Sequence, residues 1–135
     1  MRTRRLLEAV VAVSIVAAVP AAPMASALVV KQVVQMGSGA ACSTGTTFCY
    51  QPKKATIGSG TKVVWKNPTS APHTVTRCAG TNCPVSGGTG SDSGLASPVI
   101  ASGSKYAFVF HGKGTYVYYC TIHGYAVMHG KVVVT

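Results

Sequence analysis

The stretch from Thr115 to Met128 limits the possible folds of this chain more than any other. Its first half alternates in the manner of a strand, which places Tyr116, Tyr118 and Cys120 on one face and Val117 and Tyr119 on the other. Cys120 then faces the core at the end of the strand, and the spacing C-x2-H-x4-M puts His123 and Met128 on the turn that follows. A single Cys or His is ordinarily structural, and a single Met ordinarily fills a core. A thiol, an imidazole and a thioether gathered on one loop instead form a metal-ligand set. Thiolate and thioether suit Cu(I) and imidazole suits either oxidation state, so one further His would complete a His2Cys copper site with a weak axial Met. His73, in Ala71-Pro72-His73-Thr74-Val75, is the candidate, and it has to arrive from a distant strand.

The rest of the chain supplies strands for such a fold. Val29 to Val34 is β-branched and is closed by Gly37-Ser38-Gly39; Lys54 to Ile57 and Thr61 to Lys66 flank the turn Gly58-Ser59-Gly60; Asn67-Pro68 stops the second of these. His73 to Arg77, Lys105 to Phe110, Thr115 to Cys120 and Lys131 to Thr135 complete the set, while Cys78 to Ser104 is rich in Gly, Ser, Thr and Pro and reads as loop. Short strands with frequent turns and no helical periodicity indicate an all-β sandwich.

The N-terminus has a different character. Arg2, Arg4 and Arg5 precede an apolar run from Ala9 to Val19, and Ala25-Ser26-Ala27 has the small-x-small form of a cleavage site, so residues 1–27 are expected to be a secretory signal and 28–135 the working domain. Thr3-Arg4-Arg5-Leu6-Leu7 contains a twin arginine, which leaves the export route open. The expected location is periplasmic, extracellular or at the cell envelope, with no stable membrane insertion once the signal is gone. Of twelve basic and two acidic residues, removal of Arg2, Arg4, Arg5 and Glu8 leaves nine against one. Such a charge speeds encounter with acidic partners. The lysines are scattered along the sequence and no nucleic-acid motif accompanies them, so nucleic acid is not the expected partner. If Cys120 is a ligand, Cys42, Cys49, Cys78 and Cys83 remain as an even set suited to disulfides in an exported chain. Sequential pairing would close two short loops worth about 2–2.5 kcal/mol each before strain; the two other pairings stay open.

These residues together resemble the cupredoxins, and within them the plastocyanin-like type. The resemblance rests on Val63-Val64-Trp65-Lys66-Asn67, Pro72-His73-Thr74-Val75, Gly114 to Cys120, His123, Met128 and Gly130 to Val134. It implies an antiparallel Greek-key β-sandwich holding one type 1 copper, with His73, Cys120 and His123 equatorial and Met128 axial. It also implies a monomer that passes single electrons between redox proteins, with the edge of His123 surfacing amid Ala71, Pro72, Tyr125, Ala126 and Val127, and Tyr119 as a second route. Ile122 stands where many plastocyanins have Pro, the four other cysteines are not a general family feature, and the four-residue gap before Met128 fits plastocyanin better than the shorter amicyanin-like loop.

Other functions fit less well. A copper oxidase or reductase would need a further open metal site, and no additional His cluster is present, so catalysis is not expected. An exported copper carrier without an electron-transfer role is the alternative; it would favour exposed, exchangeable Met or His ligands over a buried thiolate. His129 is expected to point to solvent by alternation, His111 to sit at a turn without a chemical role, and Met36 to pack in the core or at its rim.

Overall fold

The computed structural model describes residues 31–43 and 45–135, so the expected signal and its cleavage site lie outside the described residues. Among the described residues, eight strands form two four-stranded sheets: β1 (Lys31–Ser38), β2 (Phe48–Gln51), β3 (Lys54–Ile57), β4 (Thr61–Lys66), β5 (Thr76–Arg77), β6 (Lys105–Phe110), β7 (Gly114–Tyr119) and β8 (His129–Val134). One sheet runs β2-β1-β4-β6 and the other β3-β8-β7-β5. The β-sandwich is as expected, but its sheets are mixed rather than purely antiparallel, with β1 parallel to β4 and β3 parallel to β8. The chain crosses from one sheet to the other between β2 and β3, so β4 returns beside β1 in the same direction, as a crossover connection requires.

Alternation places the core where the sequence predicts. Tyr116, Tyr118 and Cys120 are fully buried, while Val117 between them is only half-buried. Val34, Met36, Val63, Trp65 and Phe110 from one sheet meet Ile57, Tyr116, Tyr118, Val132 and Val134 from the other. The Trp65 and Tyr118 rings meet edge to face at 5.4 Å and those of Phe110 and Tyr116 at 4.8 Å, a geometry that adds to the burial of their large apolar area.

Two elements differ from expectation, while residues 78–104 carry no strand, as expected of a loop. Phe48–Gln51 pairs with β1 and was not anticipated, because four residues between a cysteine-bearing loop and Pro52 carry too short a pattern to read. The strand expected from His73 is regular only over Thr76–Arg77; His73 itself makes a single bridge to Ile100. Residues 78–104 are irregular but anchored: the Arg77 guanidinium donates to the carbonyls of Gly87, Gly88, Gly90 and Asp92 at 2.7–3.0 Å, and the Asp92 carboxylate accepts from the His111 and Gly112 amides. Gly90 is required in this loop, since a Cβ there would lie 2.1 Å from the Tyr116 ring. The disulfides pair sequentially, Cys42 with Cys49 and Cys78 with Cys83, and Cys120 is the free thiol among the described residues.

Candidate metal centre

β7 ends at Tyr119 and β8 begins at His129, so the loop between them closes at one end of the sandwich. The loop is held by its own backbone. Cys120 N–H donates to the Met128 carbonyl at 3.0 Å, Gly124 N–H to the Cys120 carbonyl at 2.9 Å, and Met128 N–H to the Gly124 carbonyl at 3.1 Å. Gly124 takes φ of 82°, a conformation glycine adopts without penalty, and this turns the chain back toward Met128. The Cys120 and Met128 side chains are fully buried in the same core cluster.

His73 reaches this loop on a segment stitched to it. The Thr74 amide donates to Cys120 Sγ at 3.3 Å, the Thr121 amide donates to Thr74 Oγ1 at 2.8 Å, and the two threonine hydroxyls bond at 2.9 Å. A buried polar cluster fixes the imidazole. Asn67 donates through Nδ2 to the carbonyls of Ala71 and Ile100 and accepts at Oδ1 from the Thr69 amide and hydroxyl. Thr69 Oγ1 also lies 2.8 Å from His73 Nε2. The neighbours available to the single hydroxyl proton of Thr69 are the acceptors Asn67 Oδ1 and the Ala71 carbonyl, so the hydroxyl oxygen receives Nε2–H from His73. The lone pair of the neutral imidazole is thereby assigned to Nδ1, which lies 4.0 Å from Cys120 Sγ. Burial, with the nearby His123 adding to it, lowers the His73 pKa to about 4, so the ring is neutral at ordinary pH.

His123 offers its own Nδ1 at 3.3 Å from Cys120 Sγ but sits in a different setting. It is half-buried, its pKa is lowered by burial, and its ring lies 4.2 Å from that of Phe48 and 4.9 Å from that of His73. Phe48 also packs edge-on against His73 at 5.0 Å. The ligand atoms of His73, Cys120 and His123 all fall within 4.8 Å of one another. Sulfur–nitrogen separations of 3.3 and 4.0 Å are what one ion bonded to each at roughly 2.0–2.3 Å can span. A buried sulfur with two neutral imidazole nitrogens is a donor set that fits copper.

The remaining site expectations divide. His129 is half-buried rather than solvent-directed: its Nδ1 bonds the Tyr125 carbonyl at 2.7 Å and its ring stacks on Tyr125 at 4.2 Å. His111 is exposed at a turn and Met36 is buried in the core, as expected. Tyr119 faces away from the core as alternation requires, yet it is buried beneath the Cys78–Cys83 disulfide with Val117 and Tyr125 against it. Asn67, Thr69, Thr74 and Phe48 were missed as contributors to the site. The adjacency of Asn67-Pro68-Thr69 to the His73 segment was the one sequence signal for the first two; nothing local marked Phe48.

Residues 38–135 match the family of copper binding proteins described as plastocyanin/azurin, and the chain belongs to that family, with copper as its cofactor. Amicyanin-alpha of Methylorubrum extorquens is 33% identical over 85 residues, 63% of this chain and 63% of that protein. Amicyanin of Paracoccus denitrificans is 34% identical over 85 residues, 63% of this chain and 57% of that protein. The match therefore spans less than two thirds of the length of either relative. Among solved structures, a novel purple cupredoxin from Nitrosopumilus maritimus is similar with a TM-score of 0.59 at 26% identity, covering 77% of this chain and 99% of that one. The Cu(I) form of an amicyanin mutant is similar with a TM-score of 0.55 at 28% identity, covering 78% of this chain and 82% of that one.

Proposed function

We propose that this protein is an exported carrier of single electrons between redox proteins. His73, Cys120, His123 and Met128 would hold one type 1 copper. Copper, when bound, supplies a one-electron couple between Cu(I) and Cu(II). The observation that carries the reading is the immobilised donor set, in which a buried Cys120 sulfur receives the Thr74 amide and lies within 4.0 Å of two imidazole Nδ1 atoms.

The surrounding residues support transfer without turnover of a substrate. His73 is locked through Thr69 and Asn67, and the loop backbone closes on itself, so the ligands have little freedom to rearrange when the charge at the site changes. The Thr74 amide gives the sulfur a charge-assisted hydrogen bond once the thiol is ionised, and such outer partners set the redox potential. Half-buried His123 provides the way out. Ile122 and Ala126, close to it in sequence, are exposed, Ile122 by 47%, and Pro72 is exposed next to His73, which together make an apolar rim on which a partner can seat. Export is supported by the basic-apolar N-terminus, for which residues 28–135 would be the working domain, and by two disulfides that persist in an oxidising compartment.

Purified protein loaded with Cu(II) is expected to show an intense visible thiolate-to-copper band, and Cys120→Ser is expected to abolish it. A colourless protein that prefers Zn(II) would refute the assignment. Turnover of a small substrate by the copper-loaded protein would instead establish an enzyme.

A further inference from the structure

The outer face of the second sheet carries a groove that the metal centre does not use. It has a volume of about 500 Å³ and is bordered by Lys53, Lys54 and Lys131 together with Val85, Val117 and Tyr125. The lysines are far apart in sequence and meet through the sheet register. β3 runs parallel to β8 with Lys54 directly opposite Lys131, both exposed, and the Lys131 amide donates to the Lys53 carbonyl at 2.9 Å. Like charges set opposite one another across a sheet destabilise it, and the chain has little with which to offset them. Its acidic side chains are Glu8, which lies outside the described residues, and Asp92, which is engaged by the His111 and Gly112 amides.

We propose that this groove docks an acidic segment of a partner protein, one that presents two or more carboxylates beside an apolar or aromatic side chain. The lysines account for the carboxylates. The apolar border accounts for the rest: Val85 is 44% exposed and Val117 and Tyr125 are half-buried, contacts from which a free inorganic anion would gain nothing. The Val85 border is also preformed. The Cys78–Cys83 disulfide ties down one side of its loop, and Arg77 holds the carbonyls of Gly87 and Gly88 on the other, which reduces the ordering cost of binding. A second opposed pair, Lys66 with Lys105, lies on the other sheet beside a hollow whose remaining residues are Gln35, Asn67, Pro68, Gly103 and Ser104. With two lysines against the groove's three and without the aliphatic and aromatic border, it is an internal control. The proposal concerns binding alone and holds whether or not the bound partner exchanges electrons.

The test is a calorimetric titration of the purified protein with the synthetic peptide Glu-Glu-Phe-Glu-Glu at low and at physiological salt. Binding is expected to weaken with salt, to fall at least tenfold in the Lys54→Glu/Lys131→Glu variant and severalfold in Val85→Ser, and to stay within twofold in Lys66→Glu/Lys105→Glu. Lys54→Gln/Lys131→Gln, whose thermal unfolding is followed in parallel, gives the same ranking if charge reversal perturbs folding. Equal losses from the two lysine pairs would overturn the proposal in favour of diffuse attraction. Inorganic phosphate binding as tightly as the peptide would overturn it in favour of a small-anion site, and absence of binding would overturn it outright.

Discussion

The two imidazoles that face Cys120 are the same residue type in opposite circumstances. His73 is fully buried, with its Nε2 bonded to Thr69 and Thr69 held by Asn67. His123 is half-buried, packs on the Phe48 ring, and sits beside exposed Ile122. One side of the centre is built to stay still and the other to be reached. Structural cost should therefore concentrate around His73, and functional cost without structural cost around His123.

The largest loss of stability is expected from Asn67→Ala. It takes the Asn67 donor from the Ala71 and Ile100 carbonyls, which keep the Thr69 hydroxyl and the His73 amide, and it strips the Thr69 amide of its side-chain acceptor and frees the Thr69 hydroxyl; with about 1–3 kcal/mol for a buried group left unpaired, the total should reach about 3 kcal/mol in chemical denaturation. A loss below 1 kcal/mol would show that the polar cluster does not lock His73.

Acid comes next. The folded-state pKa of His73 is lowered to about 4 from 6.5, so between these values the unfolded chain holds a proton that the folded chain does not. Stability of the metal-free protein should be full above about pH 6.5 and fall progressively toward pH 4, with His123 contributing in the same direction. His73→Gln should make the denaturation midpoint less dependent on pH across that window; an unchanged slope would count against the burial assigned to this ring.

Phe48→Leu removes the ring that packs against both imidazoles while keeping an aliphatic side chain, and should cost up to about 1.5 kcal/mol. Its informative readout is the visible spectrum of the copper form, which should shift if Phe48 orients His123. The smallest effect on stability is expected from Ile122→Ser, within about 0.5 kcal/mol as for other surface changes, with slower electron exchange with redox partners as its signature. Unaltered exchange would place the contact surface elsewhere.

Most of the donor set was legible because its logic is local. Cys120 follows a strand whose alternation can be counted, and His123 and Met128 follow at short, fixed spacing. His73 was identifiable by residue type, but its environment was not, because Asn67, Thr69 and Ile100 converge on it only after the loops fold. Phe48 was invisible for a related reason: its strand is too short to show a period, and its contacts are with rings 25 and 75 positions away in the chain. Tyr119 illustrates the limit of alternation, which assigns a face correctly but cannot know that a disulfide loop covers it.

Sequence alone settled the β class, the thiol–imidazole–thioether loop, the even set of four remaining cysteines and the excess of positive charge, since each is a matter of residue type and near-neighbour spacing. Tertiary structure decided which cysteines joined, that two strand pairings run parallel, that one imidazole is immobilised and the other accessible, and that lysines scattered along the chain gather at one groove. Those outcomes depend on strand order and register, which bring together residues too distant along the chain for any local pattern to relate.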